Sequence, residues 1–474
     1  MKERCAPYGF VPSPRMLKAL LSGGLLILAF PAPGLWPLVF GALVPLFTAL
    51  PGRSLREALG LGLLAFTVFF FGLLYWIPGV MIRFGGLSRP LALSVHLLLC
   101  LYLALYSALA VAGAAALKAF ERPGLLPGLL LGAFWLAGEY LRGRLLTGFP
   151  WEPLSGALAP VPLLLQPAAL VGALGLSLLP LWVNYALFAA LPPRRRRAPL
   201  LAAFFLLGAT VLYGWRALSL EVPVFPVRVA LIQGNIPQEI KWRPGEERRS
   251  LERYLELSRK ALACGPDFLV WPETALPFPF PYGGLTGELL KGIRSLGRPV
   301  LFGAPRAVHT EKGWDLRNSL VALSPEGKPL GVYDKEHLVP FGEYVPFEDK
   351  FPWLRNLAVA SGDYTPGRGS GVLEVAGVRV GALICFENAF APLARARVRA
   401  GADLLLVITN DAWFGRSAAL RQHFDQSILR AVETRRWVIQ VANTGLSGVI
   451  DPYGRVRLLG PVERPWWSCF GRRP

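Results

Sequence analysis

The stretch VRVGALICFE, residues 378–387, runs an apolar segment straight into a thiol and a carboxylate. An apolar run of this length without polar alternation suits a strand covered on both faces. The same texture recurs in VRVALIQ from Val227, DFLVW from Asp267, PVLFGA from Pro299, NSLVALS from Asn318, DLLLVIT from Asp403 and WVIQVAN from Trp437. Between these runs, Leu251, Tyr254, Leu255, Ser258 and Leu262 keep helical spacing, and residues 417–435 place Leu420, Phe424 and Ile428 on one stripe. Alternating strands and helices predict a layered α/β domain over residues 221–460.

Upstream the texture changes. The chain has 474 residues, enough for two domains, and its 53% hydrophobic content is concentrated in the first part. Seven apolar stretches fall at 17–32, 35–50, 58–77, 91–117, 125–141, 162–191 and 199–215. Several approach the roughly 20 residues that cross a bilayer core, so residues 1–220 read as an α-helical transmembrane bundle of about seven spans. The first two stretches are short and joined through Pro31, Pro33 and Gly34, so they form either one re-entrant hairpin or two tight spans. A cleaved signal peptide is the other reading of the first stretch, but six further apolar runs favour a retained anchor.

Charge then orients the bundle. With seven spans, the N-terminal-side loops hold twelve basic residues: Lys2, Arg4, Arg15, Lys18, Arg53, Arg56, Lys118, Arg122 and Arg194 to Arg197. The opposite loops hold four: Arg83, Arg89, Arg142 and Arg144. This asymmetry places the N-terminus in the cytoplasm and the α/β domain outside. The net charge of +19 therefore reports topology, and without a base-reading motif it does not point to nucleic acid. Glu139 and Asn184 interrupt the apolar stretches; an intramembrane carboxylate is a functional candidate, set here against a structural role near Arg142 and Arg144. Cys5, Cys100, Cys264, Cys385 and Cys469 show neither CxxC nor zinc-like spacing, so no disulfide scaffold and no metal site are expected.

Three segments of the α/β domain carry chemistry. In WPET, residues 271–274, Glu273 follows a buried strand, where desolvation raises an unpaired carboxylate's pKa and suits it to act as a general base. In YDKEHLVPFGE, residues 333–343, Lys335 is a fixed cation able to stabilise an oxyanion if held near Glu273 or Glu343. Cys385 stands where a strand gives way to a helix, a setting that favours thiolate. Each residue alone has a bland reading as surface or core. Their combination at strand ends makes the functional reading.

WPE at Glu273, DK at Asp334 and Lys335, and CFE at 385–387 resemble the three signatures of the nitrilase, or carbon-nitrogen hydrolase, superfamily. QGNIP (233–237), HLVPFGEYVP (337–346) and TNDAWFG (409–415) are similar to one membrane branch, the apolipoprotein N-acyltransferases. The resemblance implies an αββα sandwich behind the bundle, set in the inner membrane, with Glu273, Lys335 and Cys385 as catalytic triad and no cofactor. It further implies ping-pong transfer of an acyl chain from a phospholipid, phosphatidylethanolamine typically, through a thioester on Cys385. The acceptor is the α-amino group of a diacylglyceryl-cysteine at an apolipoprotein N-terminus. Glu343 and Glu387, with the backbone of Phe386, are expected to support the triad and the oxyanion.

Trp242, Phe341, Tyr344, Trp413 and Phe414 are expected to meet substrate. The loops 278–282 and 347–354 suit the lipid headgroup region. The family's final membrane helix has no counterpart in PWWSCFGRRP, residues 465–474, so residues 461–474 read as a tail, either an interfacial anchor or the mark of a truncated sequence. A membrane-tethered amidase using the same triad is the rival enzyme. A transporter or scaffold with an inert binding module is the rival of another class; few intramembrane charges and an intact triad argue against it.

Overall fold

The computed structural model describes residues 12–311, 313–357 and 363–471. Lys2, Arg4 and Cys5 lie outside them. Two sheets of six strands form the C-terminal part. The first contains β1 (Val229–Gln233), β2 (Phe268–Val270), β3 (Val300–Thr310), β4 (Gly313–Leu323) and β5 (Pro329–Asp334). The second contains β6 (Val372–Val375), β7 (Val378–Ile384), β8 (Leu404–Thr409), β9 (Trp437–Ala442), β10 (Gly448–Ile450) and β11 (Val456–Leu459). A last strand, β12 (Trp466–Phe470), returns to the first sheet, giving the orders β12-β1-β2-β3-β4-β5 and β11-β10-β9-β8-β7-β6.

The side-chain period of two explains the layers. Val229, Leu231, Phe268, Val270 and Leu320 face Val380, Ala382, Ile384, Leu406 and Ile408 across the space between the sheets. The alternate residues Ala230, Ile232 and Leu269 turn outward to Tyr254 and Ile293, on the helices Glu246–Ala261 and Thr286–Leu296. On the other side, Leu383, Leu405 and Val407 meet Phe424 and Ile428 of the helix Ala419–Thr434. The architecture is an αββα sandwich behind a helical region.

The Ala419–Thr434 helix departs from its expected one-sided stripe. Gln422, His423, Asp425 and Arg430 are buried along with Leu420, Phe424 and Ile428. The membrane half covers this polar face and satisfies part of it: Gln422 Oε1 accepts from the indoles of Trp76 (3.2 Å) and Trp151 (3.0 Å). Its amide donates to the Leu73 carbonyl at 3.1 Å.

All seven apolar stretches are wholly or partly helical. Among the described residues, Leu55–Leu73, Arg89–Ala116 and Arg197–Leu218 are each long and apolar enough to cross a membrane. Ala168–Leu176 and Leu178–Ala190 form a pair bent by 57°, either a broken span or a re-entrant loop. The second stretch is a short 3₁₀ turn, Trp36–Phe40, followed by the helix Val44–Ala49. Buried Asn184 repairs that break: it accepts from Leu43 N (2.7 Å) and donates to Val39 O (2.6 Å). Broken backbone inside a membrane bundle needs such partners. Glu139 is likewise buried, with Oε1 accepting from Leu154 N at 2.9 Å, so it holds a loop that follows its own helix.

The tail corrects the expected boundary at residue 461. Trp466–Phe470 pairs antiparallel with β1, Ile232 opposite Trp467 and Val229 opposite Phe470, and forms the sheet's edge. Phe470 packs on Phe225 and Trp437, ring centroids 5.0 and 5.5 Å away, because β-rich aromatic sequence buries better in a sheet than at an interface. The return of this strand also joins Cys469 to Cys264 in a disulfide, Cα to Cα 6.5 Å, where the spacing had given no expectation of a disulfide scaffold. No local spacing signalled the pair, since 205 positions separate them. Closing so long a loop restricts the unfolded chain by roughly 5 kcal/mol in the loop-entropy account. Reduction, or Cys264→Ser, is therefore expected to lower the thermal unfolding midpoint while leaving the reaction rate of the folded enzyme unchanged. An unaltered midpoint on reduction would show that β12 docks without the bridge.

Candidate active site

The three motif residues converge from both sheets at the carboxyl ends of their strands. Glu273 lies three residues past β2, Lys335 directly after β5, and Cys385 directly after β7. Backbone crowding sets the first position: a Cβ on Gly303 of β3 would stand 2.6 Å from Glu273 Cα, so that glycine lets the strand pass under the turn. Cys385 has φ +53°, a left-handed turn rare for a residue with a side chain. Such strained positions concentrate at functional sites.

Hydrogen bonds fix the charges. Glu273 is buried; its Oε1 accepts from Asn318 Nδ2 at 2.7 Å and its Oε2 from Asn410 N at 2.8 Å. Lys335 Nζ stands 3.7 Å from Glu273 and donates to Glu343 at 2.9 Å. Asn318 Nδ2 also donates to Glu343 at 2.7 Å, so one amide and one ammonium bridge two carboxylates. The second oxygen of Glu343 accepts from Val339 N at 2.8 Å and ties the loop to the site. Burial alone would depress the Lys335 ammonium; Glu343 and Glu273 outweigh it and hold its pKa above the ordinary lysine value.

The expected resting thiolate is corrected. Burial first, then the carboxylate of Glu273, push the Cys385 thiol well above its ordinary pKa, with Lys335 and Thr409 pulling the other way. The thiol therefore rests protonated.

Glu387 accepts from Tyr333 Oη (2.8 Å), Glu336 N (2.8 Å), His337 N (3.0 Å) and Ile384 N (2.7 Å). It thus clamps the Lys335 loop to the Cys385 turn. Phe386 follows Cys385 in that turn, Cys385–Ala389, whose first N–H groups have no partner within it. Its ring stacks on Trp151 at 6.1 Å and 25° and meets Phe149 at 5.7 Å, so the helical half touches the residue next to Cys385.

The other expected contact residues spread differently. Trp242 is 47% exposed, and Phe341 and Tyr344 are half-buried near the Lys335 loop. Trp413 and Phe414 pack on Phe84 (4.8 Å) and Trp76 (4.7 Å) of the helical half, so their rings hold the two parts together. In the loop 278–282, Phe278 and Phe280 turn into the core under β3, against the lipid-facing expectation, and Tyr282 stays exposed. Phe347, Phe351 and Trp353 are exposed.

Sequence reasoning missed Asn318, Lys241, Asp411 and His423. Asn318 had a signal, a polar residue opening the buried run NSLVALS. Lys241, fully buried, donates to Thr274 Oγ1 at 2.8 Å; burial pulls its ammonium down to about 7, while Glu273 pulls the other way. The nearest heteroatoms of Cys385, Asp411 and His423 fall within 4.8 Å of one another, yet both ring nitrogens of His423 are already engaged in hydrogen bonds.

A carboxylate, an ammonium and a thiol at strand ends of an αββα sandwich define a nitrilase-type site. Residues 228–468 match the carbon-nitrogen hydrolase family model, and residues 22–186 match that of the apolipoprotein N-acyltransferase N-terminal domain. An apolipoprotein N-acyltransferase of Geobacter metallireducens is 39% identical over 97% of this chain and 89% of its own length. One from Azotobacter vinelandii is 36% identical over 94% and 86%. A solved amidase from Nesterenkonia sp. AN1, 20% identical, aligns over 54% of this chain and 94% of its own with TM-score 0.40. The chain belongs to the apolipoprotein N-acyltransferase family and is a membrane-bound acyltransferase.

Proposed function

We propose that Cys385, Glu273 and Lys335 carry a ping-pong transfer from phospholipid to lipoprotein. The observation that carries this reading is the convergence of buried Glu273 and Lys335 with half-buried Cys385 beneath the helical half. The Cys385 thiol gives its proton to Glu273 as sulfur attacks the sn-1 ester carbonyl of phosphatidylethanolamine. Lys335 and the Phe386 N–H stabilise the oxyanion. Collapse expels the glycerol oxygen, which takes the proton from Glu273, and lysophospholipid leaves a thioester on Cys385. The α-amino group of a diacylglyceryl-cysteine then attacks the thioester, Glu273 removes its proton, and the thiol is restored with an amide formed. Glu343 holds Lys335, and Trp242, Phe341 and Tyr344 line the approach.

Incubation with phosphatidylethanolamine should add one acyl mass to the protein, and a diacylated N-terminal peptide should then remove it as an amide. An adduct lost to water at the same rate with and without peptide would mark a hydrolase instead.

We infer that the catalytic domain lies outside the cytoplasm. Two observations support this side: the basic-residue asymmetry, and the packing of the sparsely basic loops on the domain, where Arg83 pairs with Glu239 and Phe149 meets Phe386. The Cys264–Cys469 disulfide suits an oxidising compartment. Reporter fusions after Tyr282 or Asn410 should be active only with an extracytoplasmic reporter; cytoplasmic reporter activity at both points would reverse the topology.

A further inference from the structure

Behind Cys385 lies a buried histidine–aspartate pair that the proposed reaction leaves idle. His423, on the Ala419–Thr434 helix, is 1% exposed. Its Nδ1 is 2.8 Å from Asp411 Oδ1, and its Nε2 is 3.1 Å from the backbone carbonyl oxygen of Cys385. Asp411 Oδ1 also accepts from Thr409 Oγ1 at 2.7 Å. A carbonyl oxygen has no hydrogen to give, and neither has a carboxylate. A neutral imidazole carries one N–H, so it can satisfy one of these acceptors and must present a bare lone pair to the other. With Asp411 as a carboxylate, both bonds form together only when the ring carries a hydrogen on each nitrogen.

The surroundings agree with that count. Burial alone would strip the proton, but the Asp411 carboxylate, the Cys385 carbonyl and Glu273 outweigh it and raise the pKa of the ring. Asp425 and its partner Arg421, 2.7 Å apart, are the charged neighbours on the same helix. One face of the ring is covered by the indole of Trp151 from the helical half, 5.7 Å away and tilted by 23°, and the edge of Phe414 closes another side at 6.3 Å.

We propose that His423, held as an imidazolium by Asp411, is a positioning residue that anchors the Cys385 carbonyl and so fixes the left-handed turn presenting the thiol. The carbonyl of a residue at φ +53° lies past the end of β7 at Ile384, in the short 3₁₀ turn Cys385–Ala389, so fixing that turn against the rest of the domain needs a partner from outside it. A donor fixed on a helix supplies that partner. The Trp151 stack makes the anchor depend on the seating of the helical half, so the nucleophile is in register only where both parts of the chain meet. The proposal rests on reading Cys385 as the nucleophile, and its closing experiment separates the two.

The chain contains four histidines, so imidazole ¹⁵N labelling gives a readable spectrum of the whole protein in lipid nanodiscs. At about pH 8, well above the ordinary histidine pKa of about 6.5, the His423 ring should show two protonated nitrogens, with its signals assigned by their loss in His423→Gln or their shift in Asp411→Asn. A bare nitrogen at that pH would overturn the proposal without bearing on Cys385. In single-turnover acylation by phosphatidylethanolamine, His423→Gln should slow thioester formation on the order of 10²-fold, the scale of a misplaced reacting group. Asp411→Asn should lose rate with rising pH earlier than the wild type, because the ring then deprotonates sooner. If both variants acylate at the wild-type rate across the pH range while Cys385→Ala does not, the nucleophile stands and the anchor is refuted.

Discussion

Cys385→Ala is expected to take up no acyl chain from phospholipid, with a rate loss on the order of 10⁶-fold, the scale seen when a nucleophile is deleted. The variant should still fold. Alanine tolerates the left-handed turn no worse than cysteine, and the change removes one partly exposed sulfur atom. Among the described residues the other free cysteine, Cys100, is buried in the helix Arg89–Ala116 with its sulfur 3.7 Å from His96, far from any carboxylate–ammonium pair. Cys264 and Cys469 are spent on each other. Intact-mass measurement after incubation with phospholipid checks the result, and an adduct persisting in Cys385→Ala would remove this residue from the mechanism. The raised thiol pKa adds a second readout. Because the thiol rests protonated, alkylation of the wild type near neutral pH should be slower than that of a free cysteine and should climb about tenfold per pH unit as the thiolate fraction grows.

The parts of this molecule that could be read in advance are those whose physics is local. A both-face-buried strand must be apolar throughout, so β7 was expected and found at Val378–Ile384, and β9 begins at Trp437 as its run did. Glu273 and Cys385 each follow the end of such a run, whereas Lys335 follows β5, a largely exposed strand that is not among the expected runs. What stayed hidden depends on partners distant in sequence. Asn318 bridges Glu273 and Glu343 only because β4 runs beside β3 and β5. The disulfide and the edge strand β12 arise from a return over 205 positions. Helical periodicity marked one apolar stripe on Ala419–Thr434 but had no means to show that membrane helices bury the opposite face. His423 and Gln422 were therefore not singled out, although both meet Trp151 of the helical half. The outer ends of β3 and β4, with half-buried Arg306 and Asp315 and exposed His309, were likewise invisible to a search for apolar runs.

The charges around the thiol make the remaining test. Lys335→Met keeps the length of the side chain and removes its ammonium, so thioester formation is expected to slow by 10² to 10³, roughly the cost of a lost oxyanion donor. The same change strips the cation from between two buried carboxylates, Glu273 and Glu343, which Asn318 alone then bridges. Breaking a buried pair in this way costs about 3–5 kcal/mol of stability. The unfolding midpoint and phospholipid binding must therefore be measured beside the rate. Glu273→Gln tests the proton's path instead. Both Glu273 oxygens accept, from Asn318 and from Asn410 N, so a glutamine must point its own NH₂ at one of these donors as well as fail to take the thiol proton. A loss of 10² to 10⁴ in thioester formation is expected from the missing base. The two substitutions together should fall well short of the product of their separate effects, because ammonium and carboxylate serve the same transition states. Single-turnover release of lysophospholipid reads all three variants. Release at the wild-type rate by a folded, lipid-binding Lys335→Met protein would make Lys335 a structural cation and leave oxyanion stabilisation to the N–H groups of the Cys385 turn.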